Sequence, residues 1–410
     1  MRSTVGQYAV TCVTSAKASA EFVRQCLSIT GELERKIDGC VQGFLLSVNA
    51  KMRAAIMSAV AKGADADGLA RLFRLAPFEQ DTWRLLDQYG EETRRRYWQE
   101  VFPHWGPHTE AELIELIDRL LEADRPRAAF HAVHMGWPQI ETSRLKRLLL
   151  TVATSNAEPS GTFQLSAYDI SAGLQSLNGR SGVNPEEMAQ LEFLFIRALD
   201  HSEHGIPNLE RQMSESPAIF VQAVALTYKR NDDGEDPPEW QIENPEQRSS
   251  VASAAYRLLD QIKRIPGTDR DGTIESDALA AWLKEVRPLC ARYGRAKMGD
   301  QCIGQLLSKA PAGENGIWPC LPVCEAMEGI ASPQIADGFI VGVHNARGAH
   351  WRGEGGAQER DLAAKYRGWA QKLRFDFPYV GSVLERIAAS YEKEAEWQDS
   401  DAKVSKRLRY

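Results

Sequence analysis

Thr109-Glu110-Ala111-Glu112, Asn184-Pro185-Glu186-Glu187 and Asn244-Pro245-Glu246-Gln247 share one arrangement, a short side-chain acceptor three residues ahead of a Glu or Gln. The acceptor can take a hydrogen bond from a backbone N–H that the first turn of a helix leaves unpaired. The Glu or Gln can reach back to the acceptor residue's own N–H. Proline right after the acceptor suits the first helical position, where its missing N–H would have no partner anyway. Behind each start the apolar residues recur with helical period: Leu113, Leu116, Ile117, Leu120 and Leu121; then Leu191, Leu194, Phe195, Ala198 and Leu199; then Val251, Ala255, Leu258, Leu259 and Ile262. Ser216-Pro217 and Ser332-Pro333 are shorter forms of the same signal. Alternating strand-like runs are confined to Thr162 to Leu165 and Phe339 to Val343, and the second reads as the end of a helix begun after Pro333. The expected fold is all-α.

At 410 residues the chain exceeds the size at which one compact core keeps growing, so two domains or one elongated array is expected. Helix starts at 109, 142, 184, 216 and 244 are spaced 33, 42, 32 and 28 residues apart. That spacing suits helix–turn–helix units stacked in a row. In period and helicity, from about Asp67 to Arg264, the chain resembles a HEAT-like α-solenoid. Its irregular helical pairs and polar C-terminal block also resemble the helical C-terminal regions of large bacterial multidomain proteins, which implies a separate effector partner. Two breaker-rich stretches punctuate the array: Ser155 to Gly161 (SNAEPSG) and Asn231 to Pro238 (NDDGEDPP). The expected organisation is an N-terminal helical array over 1–155. A second helical domain over 162–410 follows, with an acidic surface loop at 231–244 and a glycine-rich segment at 342–360.

The chemistry of the chain excludes some roles. A 43% hydrophobic and 26% charged composition argues for a folded protein. A net charge of −7 makes nucleic acid an unfavoured partner, although Lys403, Lys406, Arg407 and Arg409 gather at the C-terminus. Seven scattered cysteines are odd in number and point to a reducing cytoplasm rather than a disulfide framework. No apolar run is long enough to cross a bilayer. The stretch from Val5 to Val13 is interrupted by Gln7 and Thr11, and Lys17 precedes Ala18-Ser19-Ala20, a poor match to an export signal.

No phosphate-binding loop, nucleophile elbow or zinc-protease motif occurs in the sequence. Asp269-Arg270-Asp271-Gly272-Thr273-Ile274 resembles the middle of a calcium loop, but Gly267 and Ala278 stand where its first and twelfth ligands would be. His131 with His134, and His201 with His204, have a spacing that could ligate zinc if further ligands converged, and His104 and His108 lie near the first pair. Cys320 and Cys324 are one helical turn apart and read as buried thiols. Neither a resident metal nor a cofactor is expected.

The segment from Gly342 to Arg360 (GVHNARGAHWRGEGGAQER) differs from the rest. It gathers His344, Asn345, Arg347, His350, Trp351, Arg352, Glu354 and Arg360 in glycine-rich backbone that leads into a helix near Ala357. Free N–H groups at a helix start, with arginines alongside, make a recipe for an anion site. Alternatively, the segment is a tight interdomain connection in which the arginines pair with Glu354, Glu359 and Asp361 and Trp351 plugs the core, or Arg and Trp form a protein-binding hot spot. The expected function is a non-enzymatic scaffold or sensing module that binds another protein. The alternatives are an anion-binding or enzymatic site on this segment, with His350 as acid–base, and nucleic-acid binding through the basic C-terminus.

Overall fold

The computed structural model describes residues 15–408, apart from 105, 107, 157, 159–162 and 348–354. The chain is all-α: it is 72% helical, with 21 α-helices and no strand among the described residues. The one β-type pairing there is a bridge between Thr268 and Ile274. Two compact units, Met1–Val183 and Asn184–Tyr410, make up the chain.

The first unit holds α1 (Ala16–Leu27), α2 (Glu34–Ser47), α3 (Ala50–Val60), α4 (Ala66–Arg74), α5 (Gln80–Leu86), α6 (Glu91–Glu100), α7 (Glu110–Glu122), α8 (Pro126–Val133), α9 (Thr142–Thr154) and α10 (Ala167–Leu177). Helix α1 packs on α2 and α3, α4 on α6, α7 on α8 and α9, and α9 on α10. The second unit holds α11 (Pro185–Leu194), α12 (Ile196–Leu199), α13 (Pro207–Glu215), α14 (Pro217–Thr227), α15 (Pro245–Gln261), α16 (Ser276–Arg292), α17 (Ala296–Leu307), α18 (Leu321–Ile330), α19 (Pro333–Ala346), α20 (Ala357–Leu373) and α21 (Pro378–Leu408). There α11 packs on α13, α14 on α15 and α16, α17 on α19, and α20 on α21, which also meets α18 and α19. Partners are therefore near neighbours along the chain, the packing of stacked helix pairs. Phe339 to Val343 lies inside α19, and 155–161 lies between α9 and α10.

The expected helix starts form. Thr109 accepts from the Glu112 N–H at 3.3 Å while Glu112 accepts from the Thr109 N–H at 2.8 Å. Asn184 and Glu187 do the same at 2.7 and 3.3 Å. Other helices begin without a local acceptor, and there a distant carboxylate supplies it. Glu158 accepts from the N–H groups of Arg127 and Ala128 at the start of α8 (2.6 and 3.2 Å). Glu328 on α18 accepts from Tyr379 and Val380 at the start of α21. Glu192 on α11 is fully buried and receives the Leu209 N–H (2.8 Å) and the Asn208 side chain (2.7 Å) at the start of α13, with His204 Nε2 at 3.1 Å. A carboxylate in this position satisfies otherwise unpaired donors and opposes the positive end of the helix dipole.

The acidic stretch after α14 is anchored rather than merely solvated. Arg295, 4% exposed, donates to the carbonyls of Ala225, Tyr228 and Tyr293 and pairs with Asp236. Arg230 holds Asp232 through two bonds of 2.6 and 3.0 Å. A second knot fixes α16 to α17: Arg287 grips Asp300 with both nitrogens (2.8 and 3.0 Å), and the Ser332 hydroxyl donates to the same carboxylate at 2.6 Å.

Helices α17 and α19 approach backbone to backbone. A β-carbon on Gly338 would fall 2.0 Å from the Gln301 carbonyl oxygen, and one on Gly304 would fall 2.1 Å from that of Ile335. Gly338→Ala is therefore expected to destabilise the protein by about 1–3 kcal/mol through overpacking. Gly329 lies in α18, where an added β-carbon would meet nothing within 4 Å. Gly329→Ala should stabilise by about 0.5 kcal/mol, by narrowing the unfolded ensemble and raising helix propensity. Urea unfolding of the two variants beside the wild type separates these outcomes by sign.

Candidate functional site

The glycine-rich segment joins α19 to α20. His344 and Asn345 occupy the last turn of α19, Arg347 caps it, and Arg360 lies in the first turn of α20. His350, Trp351, Arg352 and Glu354 lie outside the described residues. Among those described, the structure brings His344 and Arg347 together around Tyr391 of α21. The His344 ring is 4.9 Å from the Tyr391 ring, and the Arg347 guanidinium stands 5.6 Å from the same ring centre. Tyr366 of α20 stacks on Tyr391 at 5.7 Å. Asn345 is exposed.

The arginines face the chain's own anions. Arg347 Nη2 donates to Glu359 Oε1 at 2.8 Å, and Glu359 is 1% exposed. Glu394 lies 3.9 Å from Arg347 Nη1. Arg360 pairs with Asp399, whose other oxygen accepts the Gly356 N–H at 2.9 Å. The backbone donor at the start of α20 that could greet a ligand anion thus already holds a carboxylate from α21. The glycine there has a steric reason as well: a β-carbon on Gly356 would sit 2.3 Å from the Ala395 carbonyl oxygen. Burial pushes the Tyr366 hydroxyl up to about 12 and lowers the pKa of the His344 imidazole, with Glu394 and Arg347 acting in opposite senses on the latter. Arginine over tyrosine adds a cation–π attraction to the ion pair. The arrangement ties three helices together around a guanidinium and a neutral imidazole.

The other expected clusters separate. His131 and His134 have rings 5.9 Å apart, while His104 and His108 each contact Phe78 instead. His204 belongs to the Glu192 cap, and His201 is exposed beside Asp200. Among the described residues, no group of three or more His, Cys, Asp or Glu is placed to hold a metal ion. Cys320 and Cys324 are both buried, and burial pushes the Cys324 thiol up to about 12, which keeps it protonated and unreactive. In the calcium-like loop Asp269 Oδ1 accepts from the N–H groups of Asp271 (2.9 Å) and Thr273 (2.8 Å), so that carboxylate closes its own turn. The side chains of Lys403, Lys406, Arg407 and Arg409 lie outside the described residues.

A cavity of about 450 Å³ opens between the end of α13, the start of the calcium-like loop and α16, with Trp282 in its wall. The signal for it along the chain is slight: an aspartate-rich turn, followed by a helix with Trp282 and Glu285 three residues apart.

Removing the Arg347 charge takes a guanidinium partner from the buried Glu359, so Arg347→Met should cost about 3 kcal/mol of stability in urea unfolding. The histidines set a pH dependence. Burial lowers the pKa of both His131 and His344 from 6.5, so below that pH the unfolded chain binds protons that the folded chain refuses. Stability must therefore fall as pH drops below about 6.5. The double variant His131→Asn, His344→Asn should lose less stability than wild type between pH 7 and pH 5, as read from unfolding midpoints. No protein-family model matches the chain, and no curated protein matches it.

Proposed function

We propose that this chain is a non-enzymatic helical scaffold or sensing module whose first unit binds another protein. One observation supports the reading above the others. Phe102, Met135 and Tyr168 are 57%, 65% and 77% exposed, and all three belong to the first unit. Phe102 stands edge-on to His131 at 5.8 Å, so its ring is fixed at the surface. Large apolar side chains at the surface are costly to leave in water, and a protein partner would cover them. Aromatic residues and methionine are also the types enriched in the cores of protein interfaces. The pairing of Arg347 and Arg360 with Glu359 and Asp399 favours a structural use of the 342–360 segment over an anion site.

The test compares wild type with Phe102→Asp, Met135→Asp, Tyr168→Asp, a triple variant that changes only exposed positions. Each protein is immobilised and exposed to native lysate treated with nuclease. Wild type is expected to retain a stoichiometric protein that the triple variant loses by at least about tenfold, as for loss of interface hot spots. Circular dichroism must be unchanged between them. Equal retention by both proteins, or retention of nothing by wild type, would overturn the reading.

A further inference from the structure

A pair of cysteines in the first unit points beyond a passive scaffold. Among the described cysteines, Cys26, Cys290, Cys302, Cys320 and Cys324 are buried, and Cys40 alone is half-buried. Cys26 lies in the last turn of α1 and Cys40 in the middle of α2, which packs against α1. Two contacts bracket the pair. On one side the rings of Phe22 and Phe44 meet across the helices at 5.3 Å. On the other, Arg71 donates to the Leu27 carbonyl at 3.0 Å and to the Asp38 carboxylate at 2.8 Å, so one guanidinium joins the two segments.

These contacts fix the register. The chain folds back between α1 and α2, so a step forward along one helix matches a step back along the other. From Phe22 to Cys26 is four residues, about one helical turn, and from Phe44 back to Cys40 is the same. Cys26 therefore faces Cys40, between the aromatic pair and the Arg71 clasp. Packed helices run about 8–10 Å axis to axis, which sets facing Cα atoms near the roughly 4.4–6.8 Å that a disulfide spans. The two thiols also sense each other: burial first, and then the Cys40 thiol, raise the pKa of Cys26. Burial raises that of Cys40 as well. Thiolate at either position therefore becomes more plentiful as pH rises.

We propose that Cys26 and Cys40 form a reversible disulfide that clamps α1 to α2 when the chain meets a low-molecular-weight disulfide of the glutathione class. Cys40, the more accessible of the two, attacks one sulfur of that disulfide as a thiolate and expels the first thiolate. The Cys26 thiolate then attacks the Cys40 sulfur, forms the intramolecular bond and expels the second. The two cysteine sulfurs are oxidised and the small disulfide is reduced to two thiols, which take up the two protons that the cysteines lose. Bonds of this kind in a reducing compartment are transient and redox-sensing. Cys290, Cys302 and Cys324 do not compete, because burial pushes each of those thiols up to about 12 and keeps it protonated.

Equilibrating the native full chain with glutathione disulfide and glutathione, quenching with acid and digesting with trypsin without reduction tests the assignment. Trypsin cuts after Arg35 and Lys36, so the bond is read by mass spectrometry as a joined pair of peptides, 25–35 with 37–51. At one fixed glutathione ratio the native chain should hold at least about tenfold more of this pair, relative to its reduced form, than the chain in urea, because the fold holds the thiols together. Amide hydrogen exchange in α1 should slow in the oxidised chain. Cys26→Ala should stop the reaction at a mixed disulfide on Cys40, and Cys40→Ser should leave Cys26 a free thiol. If Cys26→Ala does not fold, Cys40→Ser, at a half-buried position, still decides. Absence of the joined pair, no preference for the native chain over urea, unchanged exchange in α1, or wild-type modification of Cys26 in Cys40→Ser would overturn the proposal.

Discussion

The helices of this chain depend on where their first N–H groups go. A helix start buried against a neighbour cannot turn to water for acceptors, and proline at the first position removes only one of the four donors. Thr109 and Asn184 answer that need locally. At α8, α13, α20 and α21 the answer comes from another part of the chain, through Glu158, Glu192, Asp399 and Glu328. Each such carboxylate caps a helix and fixes its position against a neighbour. Glu192 does the most in this respect, because a fully buried carboxylate is tolerable only while every one of its donors stays in place.

Close glycine contacts and arginine knots complete the second unit. Gly304 and Gly338 let α17 and α19 touch backbone to backbone, and a contact that tight leaves little freedom of register. Arg295 gathers groups from separate segments, and Arg287 grips the single carboxylate of Asp300 with two nitrogens. Bidentate or multiply bonded guanidinium groups impose direction as well as attraction. The glycine-rich join between α19 and α20 belongs to the same system. Gly356 lies under the backbone of Ala395, and the described arginines of the join face acids from α20 and α21.

These interactions also shape the functional reading. Charges that neutralise one another inside the chain are poor recruits for a ligand, whereas groups without partners draw one. The exposed Phe102, Met135 and Tyr168 are side chains whose demand the first unit leaves open. They suit a protein partner because they are open and apolar.

By itself, the sequence determined the helices. Capping residues and apolar period act within a few residues, so the starts at Thr109, Asn184 and Asn244, and α19 running through Phe339 to Val343, were legible from local chemistry. The charge of the glycine-rich segment was legible as composition, and Arg347 and Arg360 each pair with acids of the chain. Which partners they take was not, because Arg347 meets Tyr391 and Glu394, and Arg360 meets Asp399, across about 40 residues of intervening chain. The cavity at Trp282 was invisible for the same reason, since Glu215 and Glu285 share it only once α13 and α16 are in place. Propensity and capping are local and can be read along the chain. Acceptors supplied in trans, glycine crossings and unpaired donors exist only between segments, and tertiary packing alone decides them.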